Sequence, residues 1–214
     1  MTATLNGMTP PSWASHVEDK RAPMPLLRVQ AFVDTLDRDL GTDVFAHAEQ
    51  ARAWLADAGL RVADPDRPSA PDFADDLRLA REVREGIRAL IGRTTGAEPL
   101  GQDDLAPLEK VLGQAQPRLD VGADGLVRLG PALPASRLAE GLLGLLLIIR
   151  DAQADGSWHR LKLCSNPDCR WAFYDRSHSR RGTWCDMASC GNRLKNRSLR
   201  ARRASAAESA ARSH

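Results

Sequence analysis

Residues 1–163 of this 214-residue chain contain no cysteine. No disulfide can staple that part, so its order has to come from burial of apolar side chains. Residues 1–20 hold no apolar stretch followed by a small-residue cleavage site. They are polar and interrupted by Pro10 and Pro11, which speaks against an export signal. The longest apolar run, residues 142–149, is broken by Gly144 and too short to cross a bilayer. These absences predict a cytoplasmic protein with reduced thiols and no membrane span. Signatures of catalysis are missing as well. There is no glycine-rich phosphate loop, internal repeat or heptad run, and His47, His159 and His178 stand apart from one another. The carboxylate pairs Asp75, Asp76 and Asp103, Asp104 fall at expected helix starts, where the helix dipole accounts for them. The chain is not expected to be an enzyme.

All four cysteines lie instead in a window of 27 residues. Cys164 and Cys169 form one C-x4-C pair, fifteen residues follow, and Cys185 and Cys190 form the second. Two short loops that each bring two thiolates to one ion complete the tetrahedral sulfur shell of a structural zinc and leave no open position for chemistry. Zinc is therefore the expected cofactor, with two disulfides, redox switching or another metal as the alternatives. Four thiolates around a dication leave two negative charges, which call for donors and cations nearby.

Charge is distributed unevenly. Residues 160–203 carry twelve Lys or Arg against three Asp, a net +9, whereas the remainder carries eighteen basic against twenty-five acidic residues, a net −7. After Asp186 no acid appears until Glu208. A basic segment without balancing acids is a candidate for an anionic partner.

The periodicities predict a mainly α fold: a helical N-terminal domain with a small β-hairpin, then a C-terminal four-cysteine finger resembling a treble clef. Residues 1–25 read as a flexible leader because prolines punctuate them. Val29, Phe32, Val33, Leu36 and Leu40 recur at helical steps and predict one helix reaching Gly41. Asp43 is placed to cap a second helix that Gly59 stops. Phe73, Leu77, Ala80, Val83, Ile87, Leu90 and Ile91 define the most regular helix. A shorter helix around Leu105 to Leu112 is expected to hold Pro107 in its first turn. Leu119 and Val121 face Val127 and Leu129 across a Gly/Asp turn as a hairpin. Residues 135–152, apolar on nearly all sides, predict a central helix. Residues 26–155 then form the helical regulatory or sensor domain, 158–204 the finger with its basic helix, and 205–214 a flexible tail.

The stretch Trp184 to Arg193, WCDMASCGNR, resembles the signature of the CGNR zinc-finger family of bacterial proteins. Cys164-Ser165-Asn166-Pro167-Asp168-Cys169-Arg170-Trp171 and Phe173-Tyr174-Asp175 have the form that family shows upstream. Phe32-Val33-Asp34-Thr35 and residues 53–60, AWLADAGL, resemble the helical domain found with this finger in stress-induced transcription regulators. The resemblance covers about residues 26–203. It implies a zinc-dependent DNA-binding transcription regulator whose helical domain senses a signal or oligomerises.

Within the finger, Arg180 and Arg181 lie in the loop between the cysteine pairs, and Asp186 is placed to cap a final helix. On that helix Met187, Cys190, Leu194, Ser198 and Ala201 share an inner stripe, while Arg193, Arg197 and Arg200 lie on one flank and Lys195 and Arg202 on the other. These seven basic residues are the candidate nucleic-acid contacts. Arg193 has a rival role as a neutraliser of the metal cluster, and Asn192 reads as a structural support. Trp171, Phe173, Tyr174 and Trp184 read as the small module's hydrophobic core in preference to base-stacking platforms. The expected partner is double-stranded DNA, with a small-molecule effector and a homodimer as further expectations. The rival readings are an RNA-binding or ribosome-associated zinc protein and a structural protein-interaction module.

Overall fold

The computed structural model describes residues 11–15, 20–60, 73–97, 99–131, 138–193 and 196. Five α-helices and three two-stranded antiparallel sheets are present among them: α1 Leu27–Val33, β1 Leu36–Asp37, β2 Thr42–Asp43, α2 Ala48–Asp57, α3 Phe73–Arg93, α4 Gln102–Gln114, β3 Pro117–Val121, β4 Val127–Pro131, α5 Leu138–Ala154, β5 Leu161–Leu163 and β6 Ala172–Tyr174. The fold is mainly helical with small hairpins, as the periodicities predict. Among the described residues no helix is long and apolar enough to cross a membrane.

Helix α3 buries Phe73, Leu77, Ala80, Val83, Ile87 and Ile91 at three- and four-residue steps. Helix α5 buries Leu138, Leu142, Leu145 and Ile149 and touches α1, α3, α4 and β4, so it lies at the centre of the core. Gly141 is required there, because a Cβ at this position would stand 1.9 Å from the Leu60 carbonyl oxygen. Phe32, Phe45 and Trp54 meet at ring separations of 5.7 to 6.1 Å, and the Trp54 indole donates to the Trp13 carbonyl at 3.0 Å. Trp13, Ala14 and Ala22 are buried in this core, so the described parts of the proline-punctuated N-terminal segment pack against the helices.

Three elements differ from their expected form. Helix α1 stops at Val33 and does not reach Gly41: Leu36 enters a short hairpin with Asp43, and Leu40 is 75% exposed. Polar side chains compete with the helical ladder at this point. Thr35 Oγ1 donates back to the Phe32 carbonyl, the Asp37 carboxylate accepts from the Asp39 and Leu40 amides, and Arg88 Nη2 donates to the Val33 carbonyl. Asp43 caps a 3-10 turn, Val44–Ala46, and α2 begins only at Ala48. Its end follows the expectation, with Gly59 at φ +67 and the Leu60 amide reaching back to the Leu55 carbonyl. Helix α4 starts earlier than expected because the Asp104 carboxylate accepts from the Gly101 amide. Pro107 is thus inside the helix, where it forfeits one backbone bond.

The finger is continuous with this body. Leu161, Leu163, Ala172 and Tyr174 belong to the same hydrophobic core as Phe32, Ile87 and Leu142. Buried polar bonds reinforce the join. Gln30 accepts from the Ala22 amide and donates to the carbonyls of Lys20 and Ala172, Asp34 accepts from the Ala172 amide at 2.7 Å, and Arg88 donates to the Arg170 carbonyl at 2.8 Å.

Candidate metal centre and basic face

Strands β5 and β6 pair Leu161 with Tyr174 and Leu163 with Ala172, and the chain between them folds into the first cysteine knuckle. The Cys169 and Arg170 amides both donate to the Asn166 carbonyl, and Arg170 takes φ 55 to close the turn. The second knuckle forms on the other side of the cluster. Asp186 accepts from the amides of Ala188 and Ser189 and caps a wide π-helical turn, Met187–Gly191. The Gly191 amide donates to the Asp186 carbonyl, and a Cβ at Gly191 would meet Met187 Sδ at 2.5 Å and Trp184 Cδ1 at 3.1 Å. The Ser165 amide donates to the Thr183 carbonyl at 2.9 Å, tying one knuckle to the other.

The knuckles bring the four sulfurs of Cys164, Cys169, Cys185 and Cys190 to within 4.8 Å of one another. Cys169 to Cys185 is 3.7 Å and Cys185 to Cys190 is 3.8 Å. A tetrahedron of sulfurs about 2.3 Å from a zinc has edges of about 3.8 Å, whereas a disulfide needs about 2.05 Å. The donor set fits a tetrahedral thiophilic ion, and no disulfide joins any of the four cysteines. Asn166 Nδ2 lies 3.7 Å from Cys190 Sγ, and the amides of Asn166 and Cys185 donate to Cys164. Four thiols this close cannot all ionise unaided. Hydrogen bonds from Cys169 and Cys185 favour the Cys164 thiolate, and that anion then pushes Cys169 up to about 12 and Cys185 up as well. A dication is the partner that lets all four ionise together.

The remaining expected site residues fall into three groups. Arg180 and Arg181 are exposed on the loop after β6. Arg193 is engaged, its Nη1 lying 2.6 and 2.9 Å from the two carboxylate oxygens of Asp39 on the body. Lys195, Arg197, Arg200 and Arg202 lie outside the described residues, as do Leu194, Ser198 and Ala201 of the expected inner stripe. Met187, assigned to that stripe, is 45% exposed, because the turn carrying it is π-helical and not a regular α-turn. Asn192 donates to the Ala188 carbonyl, a structural role. Phe173 and Tyr174 are buried, and Trp171 and Trp184 pack half-buried against the cysteines.

Composition and spacing did not single out the residues that hold the basic loop. Asp175 accepts from the Ser177 amide and hydroxyl, from the Gly182 amide at 2.7 Å and from Lys162 Nζ at 2.9 Å. Lys162 also donates to the Arg180 carbonyl. Burial alone would raise Asp175, but these donors outweigh it and hold the carboxyl well below its usual range. The signal was the Asp ending the Phe-Tyr-Asp run. Between the 34–44 segment and the knuckles lies a cleft of about 640 Å³ lined by Asp34, Thr35, Leu40, Trp171, Phe173 and Cys190.

This architecture is that of a helical protein carrying a zinc finger of the four-cysteine kind. Residues 160–203 match the CGNR zinc finger, and residues 28–154 match ABATE, described as "Putative stress-induced transcription regulator". The ABATE match spans more than half of the chain, and the chain belongs to that family. No curated protein matches the chain. The family description is that of a regulator and not of an enzyme.

Proposed function

We infer that the chain is a DNA-binding transcription regulator of the cytoplasm whose finger is built on one zinc ion held by Cys164, Cys169, Cys185 and Cys190. The ion would offset half of the thiolate charge and lock the two knuckles together. Arg180 and Arg181 would meet phosphates, joined by Arg193, Lys195, Arg197, Arg200 and Arg202. The helical body would receive a signal, and the cleft of about 640 Å³ at its join with the finger is of the size that small ligands fill.

The observation that carries this reading is the basic loop. Arg180 and Arg181 are exposed on a backbone pinned from beneath by the buried Lys162 and Asp175 pair. Two cations on a pre-set loop lose little entropy on meeting an anionic backbone. The test is binding of the zinc-loaded chain to duplex DNA and to structured RNA over a salt series. Duplex preference is expected, and the triple variant Arg197→Ala, Arg200→Ala, Arg202→Ala should lower the salt slope by about one unit per lost phosphate contact. Preference for RNA would favour the ribosome-associated reading. Binding to neither would leave the finger a structural module.

A further inference from the structure

Exposed apolar side chains concentrate on the β3–β4 hairpin: Leu119, Val121, Leu126 and Val127 are each at least 59% exposed. All five residues of β3 are exposed, while β4 lies against α5, so β3 is the outer edge. Among the described residues β3 pairs with no strand except β4. A two-stranded hairpin is marginal alone, and an exposed strand edge with unpaired backbone groups is a template for another strand.

The hydrogen-bond register says which groups the edge offers. The Gly125 amide donates to the Gly122 carbonyl, Gly125 takes φ +77, and the Gly122 amide donates to the Leu126 carbonyl. This is a type I turn with a bulge at Gly125. Bonded pairs alternate along an antiparallel ladder, so Asp120 with Arg128 and Arg118 with Gly130 exchange bonds within the hairpin. The backbone groups of Pro117, Leu119 and Val121 therefore face outwards. Pro117 has no N–H to leave unpaired.

We propose that β3 pairs antiparallel with β3 of a second copy of this chain about a two-fold axis at Leu119, making a four-stranded sheet and a homodimer. The sequence Pro117-Arg118-Leu119-Asp120-Val121 is self-complementary under that axis. Leu119 faces its own copy and exchanges two backbone bonds with it. The Val121 amide reaches the Pro117 carbonyl of the other chain. Arg118 of each copy stands opposite Asp120 of the other, at the closely spaced non-bonded positions where side chains lie nearest. Within one chain these two side chains already pair at 3.0 Å while both stay more than half exposed, so they are free to pair across the axis. An isologous contact of this type closes at two copies. The inference stands independently of nucleic-acid binding.

Sedimentation of the full zinc-loaded chain over a concentration series tests this. A species of twice the 23.4 kDa chain mass is expected. Arg118→Asp alone and Asp120→Arg alone put like charges at both contacts, and each should weaken self-association about tenfold or more, with circular dichroism and metal content unchanged. Mixing the two single variants should restore the dimer, because an all-acidic strand then faces an all-basic one. An intrachain role for the pair predicts no such recovery. A wild-type chain that stays monomeric throughout, or single variants that dimerise as the wild type does, would overturn the proposal.

Discussion

The two cysteine knuckles bring their sulfurs to one cluster by different means. The first, with Cys164 and Cys169, sits on β5 and β6, whose Leu161, Leu163, Ala172 and Tyr174 are part of the main core. Its backbone is gripped from the body by Asp34, Gln30 and Arg88. The second, with Cys185 and Cys190, rests on a cap from Asp186, on Lys20 Nζ donating to the Trp184 carbonyl, and on an exposed ion pair between Arg193 and Asp39. The main core thus holds one half of the candidate metal site, while the other half is held by its own cap, by peripheral polar bonds and by the Ser165 to Thr183 link to the first knuckle. The contrast predicts an order of loss when the site is disturbed.

The largest effect is expected at the ion pair beneath the basic loop. Lys162 and Asp175 have side chains only 8% and 5% exposed, and removing one partner leaves a buried charge unpaired. Asp175→Ala should cost about 3 kcal/mol of unfolding free energy in urea titrations. Its carboxyl is held below the usual range, so it supports the fold above the ordinary carboxylate pKa, and that support disappears as acid protonates it. The difference in stability between wild type and variant should therefore shrink as pH falls below about 4. A constant difference across that range would refute the assignment.

A smaller change is expected at Asp34, where the first knuckle meets α1. Asp34→Ala should cost about 1–3 kcal/mol, because the buried Ala172 amide loses its acceptor. Asp34→Asn keeps an acceptor and should cost less. Burial raises Asp34 well above the usual carboxylate range, against the opposing Ala172 amide and the charge of Arg88, and with Asp37 adding to the rise. The folded form then keeps a proton that the unfolded chain releases, so wild-type stability should fall as pH climbs through the ordinary carboxylate range towards the raised value. The Asn variant should lack that fall. In the wild type Asp34 Oδ2 is buried with no hydrogen-bond partner, which adds to the penalty on the charged form.

These assignments show which features local sequence could carry. The stripe of α3, the turn at Gly122 to Gly125 and the cysteine spacing are local, and the structure follows them. The end of α1 is not local: residues 29–40 keep helical periodicity, and the competing partners of Asp34 and Val33 lie at Ala172 and Arg88. The π-helical turn at Met187 escaped because a four-residue spacing between cysteines is compatible with more than one helical pitch. The fate of Arg193 was also hidden, since its partner Asp39 is 154 residues away in the chain.

The smallest expected effect is at that exposed pair. Arg193→Ala should leave the melting temperature nearly unchanged, while amide exchange over residues 185–193 speeds up and exchange in β5 and β6 does not. Equal acceleration in both knuckles would erase the contrast between them.

Zinc content measured with exchange in a single experiment tests the central claim most directly. Protein prepared without added metal should contain about one zinc per chain. Stepwise chelation should first release protection at 185–193 while β5, β6 and the helices stay protected. Metal-free protein with two disulfides, or loss of the helices together with the ion, would contradict the account.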